Sequence, residues 1–486
     1  MLTRSYLDPK SSKSLLAYTP MLHARLFKET QKFRHANFQP TRLKNGAQVP
    51  WLDGNPAIDR PLFVQFCANK PEELLEAARH VESYCDAVDL NLGCPQGIAR
   101  SGHYGAFLQE DWDTIYNLIN KLHVELSVPV TAKMRVLETK ERTLEYAKMI
   151  LSAGASIITV HGRRREQKGH NMGTADWSYI RYLRDNLPQD TVIFANGNIL
   201  NRNDLAPCLE ATGADGVMSA EGNLSDPTIF ANPPAAGEEN AEYWRGRNGH
   251  EGYRIDGVIR RYLDIIYEHV LEEMPPKRQE LCLPSNPELS LFSGVDVEEV
   301  LDQEGPPMKK RKQEQGPMMS SPNLRVMQGH LFQLLRPMLS THTNIRDALA
   351  KCRVGDIAAF ERVLSMVEDA VKVGLQEYEK DGAGKQVELE RGMEKSQASS
   401  KHAVTSSETI AKYKKPWWIC QPHIRMLPDE AVKAGAMTLS KKELAKAELV
   451  QDNNDVTTRS SSRCDRKEPQ QSDMKLGLPR PALVCG

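Results

Sequence analysis

A cysteine closes the run Asp89-Leu90-Asn91-Leu92-Gly93-Cys94-Pro95, and glycines follow at positions 97, 102 and 105. Residues 87–90 read as a strand, and parallel α/β folds place their chemistry where such a strand gives way to a loop. A cysteine after a buried strand is by default a small core hydrophobe. Between Gly93 and Pro95 it is equally placed to meet a ligand. An unperturbed thiol titrates near about 8.5, so it could donate a proton at neutral pH as a general acid. Both readings stand on these residues alone.

Other strand ends carry polar side chains. Lys133 lies in Thr131-Ala132-Lys133-Met134-Arg135, where a lysine is costly unless it meets an anion or an electron-rich ring. The alternative is a lysine that snorkels from the strand end. His161 follows Ile157-Ile158-Thr159-Val160, with Arg163, Arg164 and Arg165 close behind. A lone histidine there would be structural. Lysine, histidine and arginine together point to a polyanionic ligand. Asn196-Gly197-Asn198 and Ser219-Ala220-Glu221-Gly222 end two later strands, where barrels often form a phosphate site from backbone N–H groups.

The elements that must position these residues alternate along the chain. Short apolar, β-branched runs at 15–21, 61–66, 87–93, 129–136, 156–162, 191–197 and 216–221 read as strands. Helical patterns lie between them, as at 71–82, with Pro71 in its first turn, and at 143–153, stopped by Gly154. Alternation of this kind predicts α/β architecture, a TIM-type (β/α)8 barrel whose strand ends converge on one face. No Gly-x-Gly-x-x-Gly turn follows the first strand, which argues against an open dinucleotide-binding sheet. Seven strands are counted where a closed barrel needs eight.

The chain holds 486 residues with a net charge of −1, so contact with a nucleic acid must rest on local basic patches. Its nine cysteines show neither Cys-x-x-Cys pairs nor zinc spacing, which argues for reduced thiols in an intracellular compartment and against a metal site. No apolar run is long enough to span a membrane. A cytoplasmic monomer is expected, with possible nuclear import left open by the basic run Met308-Lys309-Lys310-Arg311-Lys312. The domain boundaries follow composition. An atypical segment covers 1–14, the barrel 15–235, and a helical domain 251–380 with a Pro- and charge-rich insertion at 272–326. Residues 381–486 comprise a linker, the aromatic and basic island Lys414–Arg425, and a polar tail.

Leu90–Pro95 with Gly102-x-x-Gly105-Ala106-x-Leu108 closely resembles the signature of the tRNA-dihydrouridine synthase family. Thr131–Arg135, Val160–Arg163 and Ala195–Asn198 follow in the family's order. Leu16–Phe27, His103-Tyr104-Gly105 and the Lys415–Arg425 island look like the eukaryotic branch acting at tRNA positions 16 and 17. The resemblance implies an FMN barrel followed by a helical tRNA-binding domain. NADPH would reduce the flavin, a hydride would pass to uracil C6, and Cys94 would protonate C5. It assigns Gln65, Lys133 and His161 to FMN, and Asn196, Gly197, Asn198, Ala220 and Glu221 to its ribityl-phosphate side. Asn91, Arg135 and Arg163 become candidates for tRNA contact. Glu221 departs from the arginine of bacterial relatives, leaving backbone N–H groups to meet the phosphate. Residues 16–23 match the family's second strand, and 1–14 do not resemble its first strand and helix. The barrel is therefore expected to lack its first βα unit. Two alternatives are a tRNA-binding protein impaired in catalysis by that gap, and an FMN barrel oxidoreductase acting on a small pyrimidine.

Overall fold

The computed structural model describes residues 1–169, 172–247, 250–282, 321–380 and 414–424. The run 308–312, most of the 272–326 insertion, the 381–413 linker, Arg425 and the tail lie outside these residues. Twelve strands are numbered in chain order: β1 (Ala17–Tyr18), β2 (Leu22–His23), β3 (Thr41–Lys44), β4 (Ala47–Pro50), β5 (Leu62–Cys67), β6 (Ala87–Leu92), β7 (Val130–Arg135), β8 (Ile157–His161), β9 (Val192–Asn196), β10 (Gly216–Met218), β11 (Tyr243–Arg245) and β12 (Glu251–Tyr253).

Strands β1 and β2 pair with the two ends of β5 and share one position in the sheet, which then runs β5-β6-β7-β8-β9-β10, every pair parallel. Seven positions result, and among the described residues no ladder joins β10 to β1. The sheet nevertheless curls. The hydroxyl of Tyr18 on β1 lies 3.3 Å from Thr159 Oγ1 on β8, four positions away along the sheet. The architecture is a TIM-type barrel opened at one seam.

Side-chain alternation decides what faces where. Val64, Phe66, Val88, Leu90, Leu92, Val130, Ala132, Met134, Ile158 and Val160 point outward into a buried core shared with the surrounding helices. Their alternates Gln65, Asp89, Asn91, Thr131, Lys133 and Arg135 face inward and are also buried. The barrel's apolar core therefore lies between sheet and helices, and its lumen is polar.

Local signals explain the helix boundaries. Pro71 opens the Pro71–Arg79 helix with Glu72 and Glu73 in its positive first turn. The helix expected from 143 begins at Lys140, because the Thr139 side chain accepts from the Arg142 N–H and caps it. The last strand stops at Met218, three residues short of the expected end. Ser219 Oγ there donates to the Ile199 carbonyl, and Glu221 opens the short helix Glu221–Ser225.

A second core unites the helices Ile255–Ile265, Pro322–Leu334, Thr343–Lys351 and Ile357–Lys380. It also takes in Leu52, Trp244 and the distant Trp418, Ile419 and Cys420. The 414–424 segment is stitched on by backbone bonds: Ile255 N–H donates to Trp418 O, and Cys420 N–H to Tyr253 O. The tryptophan-rich island is thus part of the helical core, with Ile419 fully buried.

The N-terminal residues bridge both bodies. Arg4 is buried and donates to the carbonyls of Leu15, Asp59, Arg60 and Pro61 at the entry to β1 and β5, while Tyr6 stacks edge-on to Tyr253.

Candidate active site

Register brings the candidate residues to one end of the lumen. Gln65 pairs with Asp89 and Asp89 with Thr131; one layer up, Asn91 pairs with Lys133 and Lys133 with Thr159. At the rim, Arg135 pairs with His161, and His161 with Asn196. Parallel pairing of inward positions stacks these side chains in rings.

The lower rings form one closed network. Thr131 Oγ1 donates to Asp89 Oδ1 at 2.6 Å, and Gln65 Nε2 donates to Asp89 Oδ2 at 2.8 Å. Gln65 Oε1 accepts from Asn91 Nδ2 at 2.7 Å. Asn91 Oδ1 then accepts from the N–H groups of Gly93 and Cys94 at 3.0 and 2.8 Å. A chain of side chains therefore runs from the lumen floor to the backbone of Cys94. Burial pushes the Asp89 carboxyl up to about 6, and the bonds from Thr131 and Gln65 with the nearby Lys133 charge oppose that rise.

Cys94 itself is 9 % exposed. Its carbonyl accepts from Ala106 N–H at 3.1 Å, which folds the glycine loop back over the strand end. Gly105 makes that approach with φ +63°; a Cβ there would lie 2.9 Å from the Cys94 carbonyl oxygen. The side chain of Cys94 packs with Cys67, Ala99 and Tyr104, flanked by Met21 and Phe107. Burial pushes the Cys67 thiol up to about 12, so it stays protonated at neutral pH.

Lys133 is the residue that asks for a ligand. It is 7 % exposed, and its ammonium makes no hydrogen bond or ion pair among the described residues. Burial, aided by Arg135, pulls it down to about 8, against the pull of Asp89 and Cys94. Arg135 is brought down to about 10, first by burial and then by Arg163. Its guanidinium binds the carbonyls of Gly93, Arg164 and Gln167, so it clamps the loops after β6 and β8 together. His161 lies well below its ordinary value through burial, then Lys133, Arg135 and Arg163, and is neutral. Arg163 Nη1 stands 3.0 Å from His161 Nε2; arginine can only donate, so Nε2 accepts and Nδ1 carries the proton.

At the ends of β9 and β10 the backbone is prepared for an anion. The N–H groups of Gly197, Asn198 and Ala220 make no hydrogen bond among the described residues. Gly197 adopts φ +108°, and a Cβ there would meet Ala175 Cβ at 2.7 Å and His161 Cδ2 at 3.0 Å. Asn198, at φ +64°, holds this turn by exchanging bonds with the Ala175 backbone and accepting from Arg163 Nη2. Glu221 stands just beyond, at the start of its short helix. Asn196 Nδ2 donates to the Met218 carbonyl and ties β9 to β10.

The candidate residues named from the sequence thus lie at or just after the strand ends on one side of the sheet, with Gln65 in the layer below. The lumen residues Asp89, Thr131, Tyr18 and Thr159 were not among them, nor were Cys67 and Tyr104 beside Cys94. A buried ammonium without an acceptor, a neutral imidazole and a row of open N–H groups fit the flavin mononucleotide expected from the resemblance: an electron-rich ring over Lys133 and a phosphate toward Gly197, Asn198 and Ala220.

Comparison with known proteins shows the family. The family model described as Dihydrouridine synthase (Dus) matches residues 4–251. A Saccharomyces cerevisiae protein named tRNA-dihydrouridine(16/17) synthase NAD(P)(+) is 40 % identical over 439 residues, 89 % of this chain and 84 % of that protein. The Schizosaccharomyces pombe protein of the same name is 41 % identical over 413 residues, 85 % and 82 % of the two chains. A mouse protein named as similar to it is 35 % identical, over 89 % of this chain and 68 % of its own. With a matched catalytic region, relatives aligned along most of the chain, and Cys94 at the end of a polar-lumen barrel strand, this chain belongs to the dihydrouridine synthase family.

Proposed function

We propose that the protein reduces uridine to 5,6-dihydrouridine in the D-loop of tRNA, at positions 16 and 17, using NADPH-reduced FMN and Cys94 as proton donor. The observation that carries the reading is Cys94 held by Asn91 at the mouth of a lumen whose one buried ammonium, Lys133, lacks an acceptor among the described residues. FMN, when bound, supplies the hydride that goes to C6 of uracil.

The chain's own residues do the rest. Lys133, Gln65 and His161 would line the isoalloxazine ring, and Gly197, Asn198 and Ala220 would receive the phosphate through their N–H groups. Cys94 delivers the proton to C5 on the other side of the base. The thiolate it leaves sits within the field of Lys133 and Arg135, whose interactions with Cys94 favour that charge. Asn91 fixes the backbone that carries the Cys94 thiol. The target uridine must leave the tRNA fold to reach this mouth, as base-modifying enzymes require.

Cys94→Ala tests the reading. It should retain FMN and reduction by NADPH, while dihydrouridine formation in a single turnover with tRNA falls by about 10²-fold or more. A wild-type rate in this variant would remove Cys94 from the mechanism. The edges of β1 and β10, unpaired among the described residues, favour a second reading, a tRNA-binding protein with impaired catalysis. Purified protein that carries flavin and turns over tRNA decides against it.

A further inference from the structure

Residues 93–95, which carry the Cys94 thiol, lie in neither strand nor helix. Every polar atom of their backbone is nevertheless engaged. Asn91 Oδ1 accepts from the N–H groups of Gly93 and Cys94, and Ala106 N–H donates to the Cys94 carbonyl. The two remaining carbonyls are held from β7 and from the loop after β8. Arg135 Nε donates to Gly93 O at 2.7 Å, and Lys168 Nζ donates to Pro95 O at 2.9 Å. Arg165 Nη1 donates in turn to the carbonyl of Ala106 at 3.3 Å. Cations thus sit on the carbonyls just before and just after Cys94, and on that of the residue that binds the Cys94 carbonyl. Bonds from a charged donor are the stronger kind.

The same two side chains hold Phe107, which flanks Cys94. Arg165 Cζ lies 5.3 Å and Lys168 Nζ 5.8 Å from the centre of its ring, within reach of cation–π attraction. The Glu110 carboxylate pairs with Arg165 at 2.6 Å. The loop that carries both cations is itself a closed turn. Gln167 Oε1 accepts from Arg164 N–H, Gln167 N–H donates to the Arg164 carbonyl, and Arg135 binds the carbonyls of both residues. Lys168 is exposed, and Pro95 O is its one hydrogen-bond partner among the described residues. Contacts of exposed lysines add little to global stability. The consequence of this bond is local: it fixes where the peptide beside Cys94 lies.

We infer that Lys168 and Arg165 are positioning residues for Cys94: the loop after β8 braces the cysteine loop and holds the thiol in place for proton delivery. The inference rests on the reduction reading above, and the chemistry of the thiol tests it separately. In the full-length FMN-loaded protein without tRNA, alkylation of Cys94 by iodoacetamide is followed by peptide mass spectrometry. It should quicken about fivefold in Lys168→Met, and about tenfold or more with Arg165→Met added, because the unbraced loop opens more readily. With tRNA at saturation, single-turnover dihydrouridine formation should slow about tenfold in Lys168→Met as the thiol loses its alignment. Affinity for tRNA and flavin reduction by NADPH should stay within about twofold of wild type, as for other exposed substitutions. Lys168→Arg keeps a charged donor and should restore both the alkylation rate and the turnover rate.

A wild-type alkylation rate in Lys168→Met overturns the inference, whatever the protein does to tRNA. So does a loss seen only as weaker tRNA binding with a flatter salt dependence, which would make the two cations phosphate contacts. Faster alkylation in Lys168→Met beside a wild-type protein that leaves tRNA unreduced supports the brace and defeats the reduction reading.

Discussion

The inner faces of β5–β7 and of β8–β10 belong to one sheet and differ in kind. On β5–β7 the inward residues Gln65, Asp89, Asn91 and Thr131 are buried, and their polar atoms bond one another. On β8–β10 Thr159 and Asn196 are buried, but the inward Ile157, His161, Val192, Phe194 and Met218 are only partly so. The turns beyond them hold N–H groups without described acceptors. The first wall is built in advance around the acid, with the Lys133 ammonium its one inward charged group that bonds to none of the described residues. The second is shaped by glycine and asparagine turns and left for a ligand to complete. Preorganisation on one side and open valence on the other is how a site binds a large cofactor without losing the geometry of its catalytic group.

The contrast can be broken by substitution. The largest effect belongs to Asn91→Leu, which removes three hydrogen bonds and strands the N–H groups of Gly93 and Cys94 in a buried place. We expect a loss of about 3 kcal/mol or more in unfolding free energy, read by urea denaturation of the apo protein. A loss below 1 kcal/mol would show that the central wall is not preorganised.

Lys133→Met should act with the opposite sign. The folded lysine titrates near about 8 against an ordinary value near 10.5. The unfolded chain therefore binds more protons than the folded one between those values. The penalty is present in full below pH 8 and disappears as pH rises through that window. Without flavin, the methionine variant should be more stable than wild type by about 2–3 kcal/mol at pH 7, and the difference should vanish by about pH 10.5. FMN affinity should fall in the variant. In wild type it should decline above pH 8, as the ammonium is lost; equilibrium dialysis across pH checks this, and a flat profile would detach Lys133 from the flavin.

On the other wall, effects shrink. Asn198→Gly keeps the left-handed backbone but deletes three side-chain bonds, and should cost about 1–2 kcal/mol, most of it recovered when FMN is added. Recovery measured as a thermal shift distinguishes a ligand-completed wall from a rigid one. Phe194→Thr should cost no more than about 1 kcal/mol, since this half-exposed ring gains little from burial. A core-sized loss of 3–5 kcal/mol would mean that the open side is packed as tightly as the centre.

Much of this was legible before the structure. Most strands of the main sheet fall within the stretches marked by apolar alternation; β2 lies just beyond 15–21 and β5 ends one residue past 66, and the count of seven positions matches the open sheet. Cys94, Lys133, His161 and the Asn196–Asn198 turn converge because strand ends in this architecture must. The lumen network was missed for a reason visible in hindsight. In Ala87-Val88-Asp89-Leu90-Asn91-Leu92 the polar residues share one parity, so Asp89 had to face inward with Asn91. Reading the run as a simple buried strand hides that period of two. The place of the island at Trp417 and Trp418 was not marked: Trp418 packs against Trp244 and Tyr378 in the helical core. Only contact between residues far apart in the chain decides such a case, and local composition carries no trace of it. The hairpin of β3 and β4, followed by Trp51 and Leu52 reaching into the second core, was unmarked for the same reason.

The stitching of Ile419 into the helical core has a consequence for synthesis. Strands β1 to β10 span residues 17 to 218 and pair mostly between sequence neighbours, so the sheet can form while translation continues. The second core joins Leu52 to Cys420 and cannot close until the ribosome has released a segment made some 370 residues later. Until then the residues that pack on Trp418, Ile419 and Cys420, Trp244 and Tyr378 among them, lack those partners. The barrel is therefore the early product of translation, and the completed helical core the late one.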